Sequence, residues 1–176
     1  MDKNKLIIKQ YSIDEAEEYK SFIKNSSIPI ELMYLKKQNF LSSPEKNIFL
    51  LLHRGTFNKS KIIGYCIIYN YIERDNPNYC EIVFKIPDDI VHVNQLNIIA
   101  DFMIHTHYRH KKLGTYLYNE ILERYYKNNS FILYADGDGK YFWPKLGFEL
   151  LQKERLIMIK ECTSRNSSYR YNTNEL

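Results

Sequence analysis

Residues 97–126 read NIIADFMIHTHYRHKKLGTYLYNEILERYY, and the punctuation of this stretch decides the fold. Asn97 to His105 is an apolar run of strand length with one internal charge, Asp101. Thr106 to Lys112 is a basic turn. From Leu113 to Tyr126 the apolar residues change to helical spacing: Leu113, Leu117, Ile121 and Tyr125 share a face, with Tyr118 and Leu122 beside it. A buried strand that enters a helix through a cationic turn is suited to hold an anion. The first helical turn offers N–H groups without intrahelical partners, the helix dipole is positive there, and Gly114 permits close backbone approach. Arg109, Lys111 and Lys112 add formal charge at the same place. The turn is therefore read as a phosphate site.

Downstream, Asn128-Asn129 stops the helix and Ser130 to Ala135 (SFILYA) alternates as a strand. Asp136-Gly-Asp-Gly139 breaks that strand, and Lys140 to Phe148 reads KYFWPKLGF. Two motifs now stand in order. Tyr108 to Gly114, YRHKKLG, resembles the acyl-CoA signature of the GNAT superfamily of N-acyltransferases, (Q/R)-x-x-G-x-(G/A). Arg109 takes its first position and Gly114 its last, while Lys112 stands where the family has its first Gly. The second stretch resembles the family's other signature, an Asn after the strand and then F-Y-x-K-L-G-F. Asp136 occupies the Asn position, Phe142, Lys145, Leu146, Gly147 and Phe148 match, and Trp143 replaces the Tyr. The matched part runs from Ile98 to Phe148; elsewhere the likeness lies in the order of elements.

Upstream, Lys5 to Lys9 is a short strand candidate. Ser12-Ile-Asp-Glu15 has the form of a capping box and predicts a helix from Ser12 to about Lys24. Pro29 opens a second, less regular helix that Ser42-Ser43-Pro44 ends. Asn47 to His53 and Lys61 to Tyr71 form a predicted antiparallel hairpin, with Gly64 marking a bulge or a close approach. A polar loop at 72–78 and a strand candidate at 79–86 lead toward the central strand; this 72–95 segment adds an edge strand or covers the substrate mouth. Leu150 to Lys160 supplies a final strand or a broken pair. The expected fold is α/β, of GNAT type: a mixed, mostly antiparallel six- to seven-stranded sheet, helices on both faces, and a splayed central strand pair. Residues 1–162 form one domain in this reading, and 163–176 a flexible tail.

Composition sets the class. The chain has 176 residues, enough for one well-buried core and too few for two ordinary domains. It is 44% hydrophobic and 26% charged, ordinary for a soluble globular protein. A net charge of +4 favours approach of a polyanionic cofactor but is too small to argue for nucleic-acid binding, and nucleic acid is not the expected partner. Cys66, Cys80 and Cys162 are unevenly spaced and are read as free thiols in a reducing cytoplasm. Without a leader pattern or a run of about 18 apolar residues, neither export nor membrane contact is expected.

The resemblance implies direct transfer of an acetyl group from acetyl-CoA to a primary amine. It implies backbone contacts from Met103 and Ile104 to the pantetheine arm, and a pyrophosphate cradle of Arg109, His110, Lys111, Lys112, Leu113, Gly114 and Thr115. Such backbone contacts tolerate Lys112 provided its backbone is helical. Asp136, Phe142, Trp143 and Lys145 fall at the second signature's cofactor side, although Lys145 reads equally as a solvated cation. The base is assigned to Asp101, because ADFMI at 100–104 resembles the matching strand of diamine acetyltransferases, with Ala100 where those have Glu. Trp143 cannot replace the Tyr as proton donor to the thiolate, since an indole only donates a hydrogen bond. His105 and His107 are read as solvated loop residues rather than metal ligands, and no metal is expected. The acceptor is an amine of a small molecule, peptide or protein, and the protein a monomer or homodimer. The rival reading is a regulatory CoA-binding domain that has lost turnover.

Overall fold

Alternating apolar residues and turn chemistry lay down the sheet, and helical runs cover it. The structure, a computed structural model, describes residues 3–26, 28–38, 46–55, 60–70, 96–135, 137–153 and 156–161. Among them are seven strands: β1 (Leu6–Tyr11), β2 (Lys46–Arg54), β3 (Ser60–Tyr69), β4 (Leu96–Ile104), β5 (Ser130–Tyr134), β6 (Glu149–Gln152) and β7 (Ile157–Lys160). They form one sheet in the order β1-β2-β3-β4-β5-β7-β6. All neighbours run antiparallel except β4 and β5, which are parallel. The final segment is thus a pair rather than a single strand. The strand candidate at 79–86, the rest of the 72–95 segment, Asp136 and the 163–176 tail lie outside the described residues.

Among the described residues three α-helices flank this sheet: α1 (Ala16–Asn25), α2 (Leu113–Tyr125) and the short α3 (Gly139–Phe142). The capping box forms as read: the Ser12 N–H donates to Glu15 Oε2 at 2.8 Å, ahead of a 3-10 turn at Ile13–Glu15. The segment opened by Pro29 differs from expectation, being a 3-10 helix at Ile30–Lys37. It buries only Leu32 and Leu35, three residues apart, and three residues per turn bring those two into line.

Each face of the sheet carries its own core. On one side α2 buries Leu113, Leu117, Tyr118 and Ile121 against Phe49, Ile63, Ile99, Phe131 and Leu133. On the other, Tyr19 and Ile23 of α1 and Leu32 and Leu35 pack on Ile48, Leu50, Tyr65 and Ile67. Side chains of this size stabilise by about 1.5–3 kcal/mol each when fully buried, so both layers hold the sheet between them.

Two bulges shape the centre. The β2–β3 register moves from Leu51↔Gly64 to Leu52↔Ile62, leaving Ile63 as an extra residue. The β3–β4 register moves from Ile67↔Asp101 to Ile68↔Ile99, leaving Ala100 extra. Gly64 is a site of close approach: a Cβ there would lie 2.5 Å from Ile104 Cδ1 and 2.8 Å from the Met103 carbonyl oxygen.

Candidate active site

Among the described residues, the two central strands part at one end of the sheet. β4 pairs with β5 only from Leu96↔Ser130 to Ile99↔Leu133, yet it continues beside β3 as far as Ile104↔Gly64. The extra residue Ala100 follows directly on the last β4–β5 pair. A bulge bends and twists its strand, and here it coincides with the point where the two central strands part. Asp101 to Ile104 therefore border a gap on the side away from β3.

The basic turn closes the end of that gap. The Tyr108 and Arg109 N–H groups are consumed within the turn, by the His105 and Thr106 carbonyls at 2.8 and 3.1 Å. The Tyr116 N–H donates to the Lys112 carbonyl at 3.0 Å, starting the helical ladder. Between them, among the described residues, the N–H groups of residues 110 to 115 carry no hydrogen bond within the protein. These are the orphan donors of a helix of thirteen residues. Arg109, His110, Lys111 and Lys112 are exposed around them, Gly114 and Thr115 are half-buried, and Leu113 is buried.

Lys112 corrects the sequence reading. Its backbone is left-handed, with φ 59° and ψ 17°, rather than right-handed helical. His110 also has a positive φ, 58°. That conformation costs an L-residue about 1–2 kcal/mol and a glycine almost nothing. The family's preference for Gly at this position thus has a local physical cause, and this chain meets the same geometry at a cost.

The two motifs brace one another. A Cβ on Gly114 would lie 3.1 Å from Phe142 Cζ and 3.5 Å from Phe102 Cε1, so the start of α2 rests directly on these rings. Phe102 stacks on Phe142 with centroids 5.6 Å apart. Trp143 meets Phe102, Phe142, Phe148 and Tyr118 edge-on and is only 5% exposed. Arg109 crosses the turn, its Nε donating to the Ile104 carbonyl at 3.0 Å and one terminal nitrogen lying 3.9 Å from Asp138 Oδ2. The Ile104 carbonyl is thereby engaged by the protein itself. Lys145 is exposed. Tyr141 is 65% exposed, turned away from the buried Trp143 two residues later.

Asp101 lies on the face carrying α1, together with Met103, and Tyr65 donates to its Oδ2 at 2.6 Å. Burial first, then this hydrogen bond, pushes the Tyr65 phenol above its ordinary value. Sequence reading missed Tyr65: its partner is 36 positions away and no local pattern announces the contact. It missed Glu31 as well. That carboxylate accepts from Thr106 Oγ1 at 3.0 Å and lies 3.8 Å from His105 Nε2. Its own backbone N–H, then Thr106, hold it below the usual carboxylate range. It ties the 30–37 segment to the end of β4. His105 is buried rather than solvated, its Nδ1 accepting from the His107 N–H at 3.2 Å. Among the described residues no three His, Cys, Asp or Glu side chains gather as metal ligands, and no helix is long and apolar enough to cross a membrane.

No family model matches the chain, and no curated protein matches its sequence. Solved structures do match its shape. AtaTR bound with AcCoA superposes with a TM-score of 0.59 at 11% identity, covering 92% of this chain and 96% of that one. The KacTA–DNA complex gives 0.56 at 16% identity, over 90% and 94% of the two chains. AtaT complexed with acetyl-methionyl-tRNAfMet gives 0.55 at 13%, over 91% and 96%. These neighbours are GNAT-fold proteins, and the fold described above is the GNAT fold.

Proposed function

We propose that the protein is an N-acetyltransferase that moves an acetyl group from acetyl-CoA to a primary amine in a ternary complex. One conjunction carries the reading. A run of unbonded amides at 110–115 stands at the end of a gap between two central strands that separate after Ile99 and Leu133. A diphosphate fits the amides, where it accepts from backbone N–H groups at the positive end of α2 and meets exposed Arg109, Lys111 and Lys112. An extended thiol arm fits the gap, where the oxyanion of the reacting carbonyl is within reach of the open edge of β4, which presents the backbone groups of Phe102 and Ile104; the Met103 carbonyl is turned toward Gly64 of β3 and is not offered to the arm. Ile104 contributes less, because Arg109 holds its carbonyl. In this reading Phe142 and Trp143 support the turn from beneath, and Lys145 supplies charge at the rim.

Asp101 is assigned as the base. An ammonium ion must lose a proton before it attacks, and a carboxylate fixed by Tyr65 at the border of the gap is placed to take it, directly or through water. Ala100, at the position where diamine acetyltransferases carry Glu, is exposed on the bulge and has no group to offer. The acceptor enters from the α1 side, over the exposed Met33 and Tyr34 of the 30–37 segment. A second reading of the acceptor follows from the AtaT complex with acetyl-methionyl-tRNAfMet. An aminoacyl-tRNA amine would bring a polyanion toward the exposed cations of the turn. A domain that binds CoA without turnover is the alternative from another class.

Titration calorimetry with acetyl-CoA and thiol release over polyamines, aminoglycosides, peptides and charged tRNA test the reading. Micromolar binding with thiol release on at least one acceptor is expected; binding alone favours the regulatory alternative. Asp101→Asn lowers turnover about 10²-fold or more near neutral pH and changes the acetyl-CoA Kd by less than twofold. Unchanged turnover across pH removes Asp101 from the mechanism.

A further inference from the structure

Transfer to an amine leaves a thiolate, and the residue at the second signature that would protonate it is absent. Trp143 is buried and its indole has no transferable proton near neutral pH. Tyr65 already donates to Asp101, and Tyr141 projects into solvent from α3. We infer that Tyr134, the last residue of β5, is the proton donor to the departing sulfur.

Strand alternation supplies the argument. Phe131 and Leu133 point into the core under α2, so Ile132 and Tyr134 point to the opposite face. On β4 the bulge at Ala100 resets the alternation. Phe102 packs under α2, while Asp101 and Met103 face the α1 side with Tyr65 and Ile67. Tyr134 and Asp101 thus stand on the same face, one on each strand, immediately past the last β4–β5 pair, Ile99↔Leu133. Tyr134 is 41% exposed although it sits at the middle of the sheet, because β5 has no β4 partner beside it there. A carboxylate and a phenol flank the mouth of one gap, on the side from which the acceptor arrives.

The inference rests on the acetyl-transfer reading. Asp101 first hands the proton it took from the ammonium to solvent; the amine nitrogen lone pair then forms a bond to the thioester carbon, and its surplus proton passes to Asp101. The carbon–sulfur bond then breaks with its electron pair on sulfur, and the Tyr134 hydroxyl gives its proton to that sulfur. Products are the N-acetyl amine and free CoA thiol; solvent returns a proton to the phenolate and takes one from Asp101.

The test needs no acceptor. The Kd values of CoA and acetyl-CoA are measured by titration calorimetry at pH 7 and pH 9, for the wild type and for Tyr134→Phe. A phenol aimed at the sulfur stabilises the bound thiolate, and a hydrogen bond to a charged group is worth roughly tenfold or more in affinity. The wild type should therefore gain affinity for CoA over acetyl-CoA between pH 7 and pH 9. Tyr134→Phe should lose that gain, about tenfold at pH 9, with acetyl-CoA binding unchanged within twofold. Equal CoA to acetyl-CoA ratios in both proteins at both pH values overturn the assignment of Tyr134 alone. Failure of the wild type to bind acetyl-CoA at millimolar concentration overturns the acetyl-transfer reading and Tyr134 with it.

Discussion

The two halves of β4 obey different rules. Leu96 to Ile99 are all buried, paired on one side with β5 and over Ile98 and Ile99 with β3. Ala100 to Ile104 are exposed, half-buried or at the margin of burial, and only β3 accompanies them. The first half is structural in the ordinary sense: apolar side chains between two layers, with the buried Asn97 donating to the Ser130 carbonyl at 3.5 Å. The second half keeps backbone edges and a charged side chain at the open centre of the sheet, which a fully paired strand cannot do. A one-residue bulge separates them.

The largest test of this contrast is Ile99→Ala in the closed half. It should cost about 3 kcal/mol, as buried large-to-small changes do, and leave the acetyl-CoA Kd of the folded protein within twofold. A mutant with normal melting and impaired binding would erase the distinction. Gly64→Ala acts on the open half. The new methyl meets the Met103 carbonyl, which is backbone and cannot rotate away. About 2 kcal/mol of destabilisation is expected, together with roughly tenfold weaker binding, read by thermal melting and calorimetry. Tyr65→Phe is milder, about 1.5 kcal/mol for the lost hydrogen bond to a carboxylate. It has a pH signature. Because the folded state holds this phenol's proton above its ordinary value, the associated stability is complete below about pH 10 and declines as pH rises further. Tyr65→Phe should flatten the alkaline fall of the melting temperature. Smallest is Lys112→Gly, which relieves the left-handed lysine against a more flexible unfolded chain and should stabilise by about 0.5 kcal/mol.

Much of this was readable before the structure. Strand, basic turn and helix at 97–126 announce themselves because periodicity changes abruptly between Ile104 and Leu113, and the capping box at Ser12 and the crowding at Gly64 are local chemistry. The bulge at Ala100 is not local: it is a mismatch in register with a strand some thirty residues earlier, and ADFMI alone carries no mark of it. Tyr65 and Tyr134 were invisible for the same reason, since their significance comes from which face and which neighbour the register assigns them. Lys112 shows a subtler limit. The departure from Gly was plain, but its left-handed backbone follows from how the turn must deliver Leu113 into the core. The segment opened by Pro29 read as an imperfect helix because its few apolar positions suit the tighter 3-10 winding.

Among the described residues, four rungs of parallel pairing, Leu96 to Ile99 against Ser130 to Leu133, join β1–β4 to β5–β7 within the sheet. The molecule is in effect two antiparallel leaves on a short spine. A ligand lodged between the leaves would add to a connection that the core under α2 already makes, since it packs on both. Residues lining either leaf can then be exchanged to suit a different guest while the spine, and with it the backbone, stays as it is.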